Sequence, residues 1–430
     1  MALKEYILIT NRGPNFKSGD LLHIGAGGTQ DAYKILADTF AYKWICIASD
    51  NLESNNLISD FPNILSVQFI ENNLYNRYYY EFISEFLYPT LLGHSHLATK
   101  LETEVDFLAV NKILLTSIKN LPNKSKIIIC DYHLFLLPEL IEWKCEKIFF
   151  WFLPFPSVKT HKSAIFKKII HSLSLCNTIF FLTPLYASNF KEAFFFHYPS
   201  EKLKAKICVN IFGPNKDYLN VRGISQKKFD DILYDKFNIQ NIQSRFILSV
   251  SRLDFVKNIP VLIKAFNKMM KCTNEENIYL IIVAPHHRKN SAVYQAEENI
   301  INELVKNSEF YSHIKVTNEL FSRNELKILY RYSNIFVMSS DYDAMPLTPL
   351  EYCLSNNGSG DIIATETTGT PIILQNCPTF SINNETSLSQ VLTKLLHKSD
   401  GDINTNMAIY KQKLKSYSHV GWKKNILKNM

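Results

Sequence analysis

Short runs of β-branched and aromatic residues recur along the whole chain, separated by stretches long enough for helices. In the first half they fall at 6–10, 44–48, 126–130, 147–153, 178–182 and 207–212. In the second half they fall at 246–251, 279–284, 314–317, 335–339, 362–365 and 371–374. These runs do not alternate apolar and polar residues, so each strand must be buried on both faces, as in parallel sheets covered by helices. Two such series predict an α/β protein of two doubly wound, Rossmann-like domains. The length of 430 residues agrees, because a single core stops growing at roughly 250–300 residues. The first domain is expected over residues 1–214 and the second over 245–414, with a helix in 415–430 packing back on the first. Gly213-Pro214-Asn215 closes the first series, and a charged stretch, 226–236, precedes the new strand at Arg245.

Composition narrows the function. The net charge of +7 is spread thinly and the lysines form no block, so neither nucleic acid nor a membrane surface is implied. No apolar run approaches the ~18–20 residues of a membrane span. The start lacks the basic and apolar regions of a secretory leader. The eight cysteines show neither CxxC nor finger spacing and several sit in strand-like runs, where a reduced thiol acts as a small hydrophobe. A soluble, cytoplasmic protein is expected, with self-association left open. His286-His287 has neither the partners nor the spacing of a metal site, so no metal is expected. No G-x-S-x-G, Walker A or G-x-G-x-x-G is present.

Several clusters stand where strands give way to helices. Arg252 and Lys257 flank a turn between the run 246–251 and a helical stretch, 260–270. Two cations beside a helix N-terminus suit a diphosphate, although the same pair also fits a solvated surface. In Asp343-Ala344-Met345-Pro346-Leu347-Thr348-Pro349-Leu350-Glu351 two carboxylates bracket the start of the next helix. They could accept from sugar or ribose hydroxyls, or serve only as N-terminal helix charges. Asn11-Arg12-Gly13-Pro14 follows the first strand, and Gly25-Ala26-Gly27-Gly28-Thr29 opens the first helix. Such glycines admit a ligand to backbone N–H groups or merely form a turn. Asp131-Tyr132-His133 closes the strand 126–130.

Together and in order, these pieces resemble the trehalose-6-phosphate synthase family of retaining glycosyltransferases. The matching positions are Asn11-Arg12, Gly27-Gly28, Trp44, Tyr79 with Tyr88-Pro89, Cys130-Asp131-Tyr132-His133, Arg252 to Asn258, and Asp343 to Tyr352. The resemblance implies the GT-B fold, two Rossmann-like domains facing a central cleft. It also implies a nucleotide-sugar donor, a phosphorylated acceptor, no cofactor and no metal. Carried over, Arg252 and Lys257 hold the donor diphosphate, Asp343 the hexose hydroxyls, and Glu351 the ribose, with Met345 and Leu347 in the donor loop. Gly28 meets the leaving phosphate through its backbone. Arg12, Trp44, Tyr79, Tyr88, Asp131 and Lys306 face the acceptor, and Asp131, Arg252 and Lys257 are the candidate catalytic groups.

Departures accompany the likeness. Phe152 stands where the family has a histidine on the donor hexose, Ala344 and Pro346 replace glycine and asparagine, and Lys306 is the nearest substitute for an acceptor-phosphate arginine. Gly27-Gly28-Thr29, Lys257-Asn258 and Thr365-Glu366-Thr367-Thr368-Gly369 resemble a pseudo-glycosyltransferase branch that couples cyclitols, the validoxylamine 7'-phosphate synthase-like enzymes. The expectation is a transferase moving a sugar or cyclitol from a nucleotide diphosphate to a phosphorylated acceptor in specialised metabolism. The alternatives are an ordinary trehalose-6-phosphate synthase using UDP-glucose and glucose 6-phosphate, and a non-catalytic sugar-phosphate-binding relative.

Overall fold

The computed structural model describes residues 4–14, 16–18, 21–23, 28–50, 58–98, 104–158, 163–240, 243–273, 275–286, 291–398 and 400–430. The chain forms two units, Met1–Phe212 with His419–Met430, and Gly213–Ser418. Both are α/β units built on parallel sheets.

The first unit contains β1 (Tyr6–Thr10), β2 (Phe16–Ser18), β3 (Leu21–His23), β4 (Ala41–Ser49), β5 (Ile58–Ser59), β6 (Leu65–Ile70), β7 (Lys126–Cys130), β8 (Glu146–Trp151), β9 (Thr178–Phe181) and β10 (Lys206–Val209). Seven of these pair in the order β10-β9-β8-β7-β1-β4-β6. Every pairing in that sheet is parallel. β2, β3 and β5 make a small antiparallel sheet apart from it. Ile7, Leu8 and Ile9 are wholly buried, as a strand covered by helices on both faces requires. β6 was not foreseen, because Ser66 and Gln68 alternate with apolar residues and the strand is only half-buried at the edge.

The second unit contains β11 (Arg245–Val250), β12 (Ile278–Val283), β13 (Ile314–Thr317), β14 (Ile335–Met338), β15 (Asp361–Thr365) and β16 (Thr379–Phe380), ordered β13-β12-β11-β14-β15-β16 and parallel throughout. Its core packs one face of the helix Ile259–Thr273 and the helix Glu385–Leu396 against the sheet. The run 371–374, expected as a strand, is instead the helix Thr370–Ile373. Pro371 explains the difference, since a first helical turn has no use for the N–H that proline lacks.

The charged stretch between the two series is the helix Gln226–Phe237, capped by Ser225. It buries Phe229, Leu233 and Phe237, spaced four apart on one face. Phe229 lies 5.3 Å from Phe246 and from Tyr332, so this segment belongs to the second unit. The helix His419–Asn429 belongs to the first: Trp422 is buried 5.0 Å from Phe212 and 5.8 Å from Phe150. Asn210 donates to the Trp422 carbonyl at 3.2 Å and Asn425 to Asn210 Oδ1 at 2.8 Å. Among the described residues no helix is long and apolar enough to cross a membrane.

Candidate active site

In each sheet the strand order reverses about one central strand. In the first unit the reversal lies between β1 and β7, whose last residues, Thr10 and Cys130, face each other in register. In an open α/β sheet the ligand crevice lies at the carboxyl ends flanking such a switch point. Asn11-Arg12 and Asp131 emerge there. The second unit reverses between β11 and β14, paired at Leu248 and Phe336. Arg252 and Asp343 follow those two strands.

Asp131 carries unusual backbone angles, φ 74° and ψ 161°. A non-glycine residue there is strained by about 1–3 kcal/mol and must be held by its surroundings. Its N–H donates to Phe150 at 2.8 Å, and Oδ1 accepts from the N–H groups of Tyr132 at 3.0 Å and Phe152 at 3.4 Å. The second oxygen stands 3.7 Å from His133 Nδ1. Burial pushes the carboxyl up to about 7, and the two backbone donors only partly oppose it.

Arg12 donates through Nη2 to the Tyr79 hydroxyl, with its guanidinium 4.8 Å from that ring's centre. Tyr79 lies on Arg77–Leu87, a helix wound with five-residue hydrogen bonds, a form that recurs at functional sites. Tyr79 lies parallel to His133 at 6.2 Å, and Tyr88 stacks on Tyr132 at 6.1 Å. Arg12 and the two expected tyrosines therefore join the Asp131 segment. Gln30, in the first turn of the helix that begins at Gly28, donates to the Gly13 carbonyl at 3.0 Å and ties that helix to the Arg12 turn. Residues 25–27 lie outside the described residues.

In the second unit Lys257 Nζ pairs with Asp343 Oδ2 at 2.5 Å, and both side chains are largely buried. Arg252 Nη2 stands 3.7 Å from the wholly buried Asp254. Asp254 accepts from the Val256 N–H and so closes the tight turn Phe255–Lys257. Asp343 also accepts from the Met345 N–H at 3.2 Å, and its carbonyl accepts from Gly369 N–H at 2.9 Å. Glu351 sits in the first turn of the helix Thr348–Ser355 and accepts from the Tyr330 hydroxyl at 3.5 Å. Asp343 precedes that helix and is not its cap; Leu347 and Met345 lie between the two carboxylates.

Two expected site residues lie elsewhere. Trp44 is wholly buried in β4, and its indole donates to Thr10 Oγ1 at 2.8 Å. Thr10 in turn donates to the Arg12 carbonyl at 2.6 Å, so Trp44 braces the arginine turn from the core. Lys306 is exposed at the last turn of Ala292–Lys306. A helix returning between parallel strands ends at their amino ends, so Lys306 lies at the opposite edge of the sheet from Arg252. The carboxyl end of β12 leads instead to His286 and then to Arg288 and Lys289, of which the last two, like His287, lie outside the described residues.

Three further residues, of which only Tyr33 carried no sequence signal, stand beside these groups. Asn258 adopts left-handed angles, φ 50° and ψ 43°, and its amide donates to Asp341 at 2.5 Å and Asn383 at 2.6 Å. Asparagine is the residue that best replaces glycine in that conformation, so Lys257-Asn258 has a plain backbone reason. Tyr33 is buried edge-on to Phe152 at 5.8 Å. Burial and the nearby Asp131 raise its hydroxyl well above the usual range. Phe152 itself is half-buried and stacks on Phe150 at 6.1 Å.

Residues 22–430 match glycosyltransferase family 20. The chain belongs to that family. As a family-20 glycosyltransferase it resembles the alpha,alpha-trehalose-phosphate synthase [UDP-forming] of Schizosaccharomyces pombe, with 26% identity over 408 residues covering 85% of this chain and 78% of the relative. The 56 kDa subunit of the Saccharomyces cerevisiae synthase is 25% identical, covering 98% and 93%. Among solved structures, the E. coli trehalose-6-phosphate protein bound with UDP-2-fluoro glucose superposes with a TM-score of 0.85 at 16% identity, covering 99% and 98% of the two chains. The Burkholderia xenovorans alpha,alpha-trehalose-phosphate synthase in complex with glucose-6-phosphate gives 0.83 at 16%, covering 99% of each. These likenesses establish the GT-B fold, and family 20 makes the chain a glycosyltransferase of the trehalose-6-phosphate synthase type.

Proposed function

We propose that this glycosyltransferase moves glucose from UDP-glucose to glucose 6-phosphate, with retention, releasing UDP and trehalose 6-phosphate. The observation that carries this reading is the intact set Arg252, Lys257, Asp343 and Glu351 gathered at the switch point of the second sheet. Two cations serve a diphosphate and two carboxylates serve hydroxyls, a combination that a mere sugar-phosphate binder has no use for. Arg12, Tyr79 and Asp131 supply the complementary set for a phosphorylated sugar in the first unit.

The ordinary UDP-glucose reaction has more support than a specialised cyclitol coupling. The relatives named above are UDP-forming synthases. Asn258, one of the features suggesting the cyclitol branch, is accounted for by its left-handed backbone.

The chemistry needs no protein nucleophile. The departing diphosphate accepts the acceptor's proton on the face it leaves, while Arg252 and Lys257 stabilise the charge that develops there. The substrates would be the donor and the acceptor alone, without a metal, in the cytoplasm.

Incubation with UDP-glucose and glucose 6-phosphate tests the reading: UDP release with formation of trehalose 6-phosphate is expected. Arg252→Ala and Lys257→Ala should each cost about 2–4 kcal/mol of transition-state stabilisation in kcat/KM. No turnover with this pair, but turnover with another nucleotide-activated sugar or cyclitol, would overturn the substrate assignment.

A further inference from the structure

We propose that Tyr33 is a specificity-determining residue of the acceptor site, its hydroxyl donating a hydrogen bond to the same sugar hydroxyl that donates to Asp131. This rests on the assignment of glucose 6-phosphate as acceptor and adds a residue to it.

The argument starts from what Asp131 offers. Oδ1 is occupied by two backbone N–H groups, of Tyr132 and Phe152, which leaves Oδ2 to receive a ligand. An ionised carboxylate only accepts, so it takes the proton of a sugar hydroxyl and leaves that hydroxyl's lone pairs unsatisfied. Burying them without a donor would cost much of what the first bond contributes. A donor facing Asp131 from another element is therefore required for tight recognition.

Tyr33 meets the requirement. It lies on the helix Gly28–Phe40, which Gln30 ties to the Arg12 turn. Its ring is fixed by the edge contact with Phe152, the residue whose N–H binds Asp131. After burial, the charges of Asp131, Cys130, Arg12 and Tyr132 act on its hydroxyl. Burial keeps the phenol protonated, so it is a donor at any working pH. With Arg12 assigned to the phosphate end of the acceptor under the proposed function, the sugar ring is left to Tyr33.

The test is Tyr33→Phe, which keeps the ring and its packing on Phe152. Binding of glucose 6-phosphate is read by calorimetry, and KM and kcat with UDP-glucose are measured alongside. The variant should bind the acceptor about tenfold more weakly with kcat nearly unchanged. Against a panel of 2-deoxy-, 3-deoxy- and 4-deoxyglucose 6-phosphate, the wild type should penalise one analogue about tenfold or more. That penalty should shrink to near unity in Tyr33→Phe. Wild-type affinity in the variant, or an unchanged pattern across the panel, overturns the inference alone. Failure of the wild type to bind glucose 6-phosphate overturns the acceptor assignment, and the inference with it.

Discussion

Lys257 Nζ lies 2.5 Å from Asp343 Oδ2, so the cation proposed for the diphosphate is already paired with the carboxylate proposed for the sugar. A nucleotide diphosphate entering this site competes with Asp343 for the lysine and meets the carboxylate's own negative charge. Asp343→Asn therefore predicts two effects of opposite sign. Affinity for UDP alone should rise about five- to tenfold, while kcat/KM with UDP-glucose should fall by at least about tenfold. Calorimetry and initial rates measure both; a loss of UDP affinity would show that the pair is merely structural.

Asp131 predicts a dependence on pH. Burial raises its carboxyl to about 7, above the ordinary value of about 4 that it has in the unfolded chain. The folded state therefore holds the proton more tightly, and this contribution to stability is complete below about pH 4 and lost as pH rises through about 7. Asp131→Asn carries no titrating charge, so its melting temperature relative to the wild type should increase between about pH 5 and pH 9. The free-energy difference should be on the order of 3 kcal/mol. In the wild type the affinity for glucose 6-phosphate should rise over the same range, as the carboxylate becomes an acceptor, and this rise should vanish in the variant.

Gly369 predicts a loss confined to one substrate. A Cβ there would stand 2.3 Å from the Ala344 carbonyl oxygen, a backbone atom that cannot step aside cheaply. Gly369→Ala should displace the Asp343–Met345 turn and weaken UDP-glucose binding by about tenfold or more, at a cost in stability of about 1–3 kcal/mol. Glucose 6-phosphate binding, carried by the other unit, should not change. Equal loss of both ligands would point to general unfolding.

Phe152 predicts a gain. Its half-buried ring offers no hydrogen bond to a donor hydroxyl, and an unmade bond is worth about 1–3 kcal/mol. Phe152→His should increase kcat/KM with UDP-glucose if a hexose hydroxyl faces this position. A folded variant with unchanged turnover would place the hydroxyl against another residue.

Most of the parallel strands and their order along the chain were legible, because strands buried on both faces keep nearly continuous apolar runs, whereas the half-buried edge strand β6 and the proline-started helix Thr370–Ile373 were not. That these four residues follow the two strands at the switch point of one sheet was legible too, since Arg252 and Lys257 share one turn and Asp343 and Glu351 one loop and helix start. What could not be read was which end of an element a residue occupies. Lys306 has the right charge, but sits where its helix reaches the amino edge of the sheet. Trp44 has the right type, but points into the core. The Tyr33–Phe152–Asp131 cluster unites a helix, a post-strand segment and a strained turn from three distant stretches, and no local pattern announces such a meeting. The left-handed Asn258 and the strained Asp131 are backbone facts that their residue types merely permit.

The helix His419–Asn429 has a consequence for the timing of synthesis. The second unit is continuous from Gly213 to Ser418, whereas the first is split around it and completes its packing only with Trp422 against Phe150 and Phe212. Domains generally fold as the ribosome releases them, the earlier one first. Here the earlier one must wait with an open face until the whole of the later one has been made, so the half that starts first finishes last.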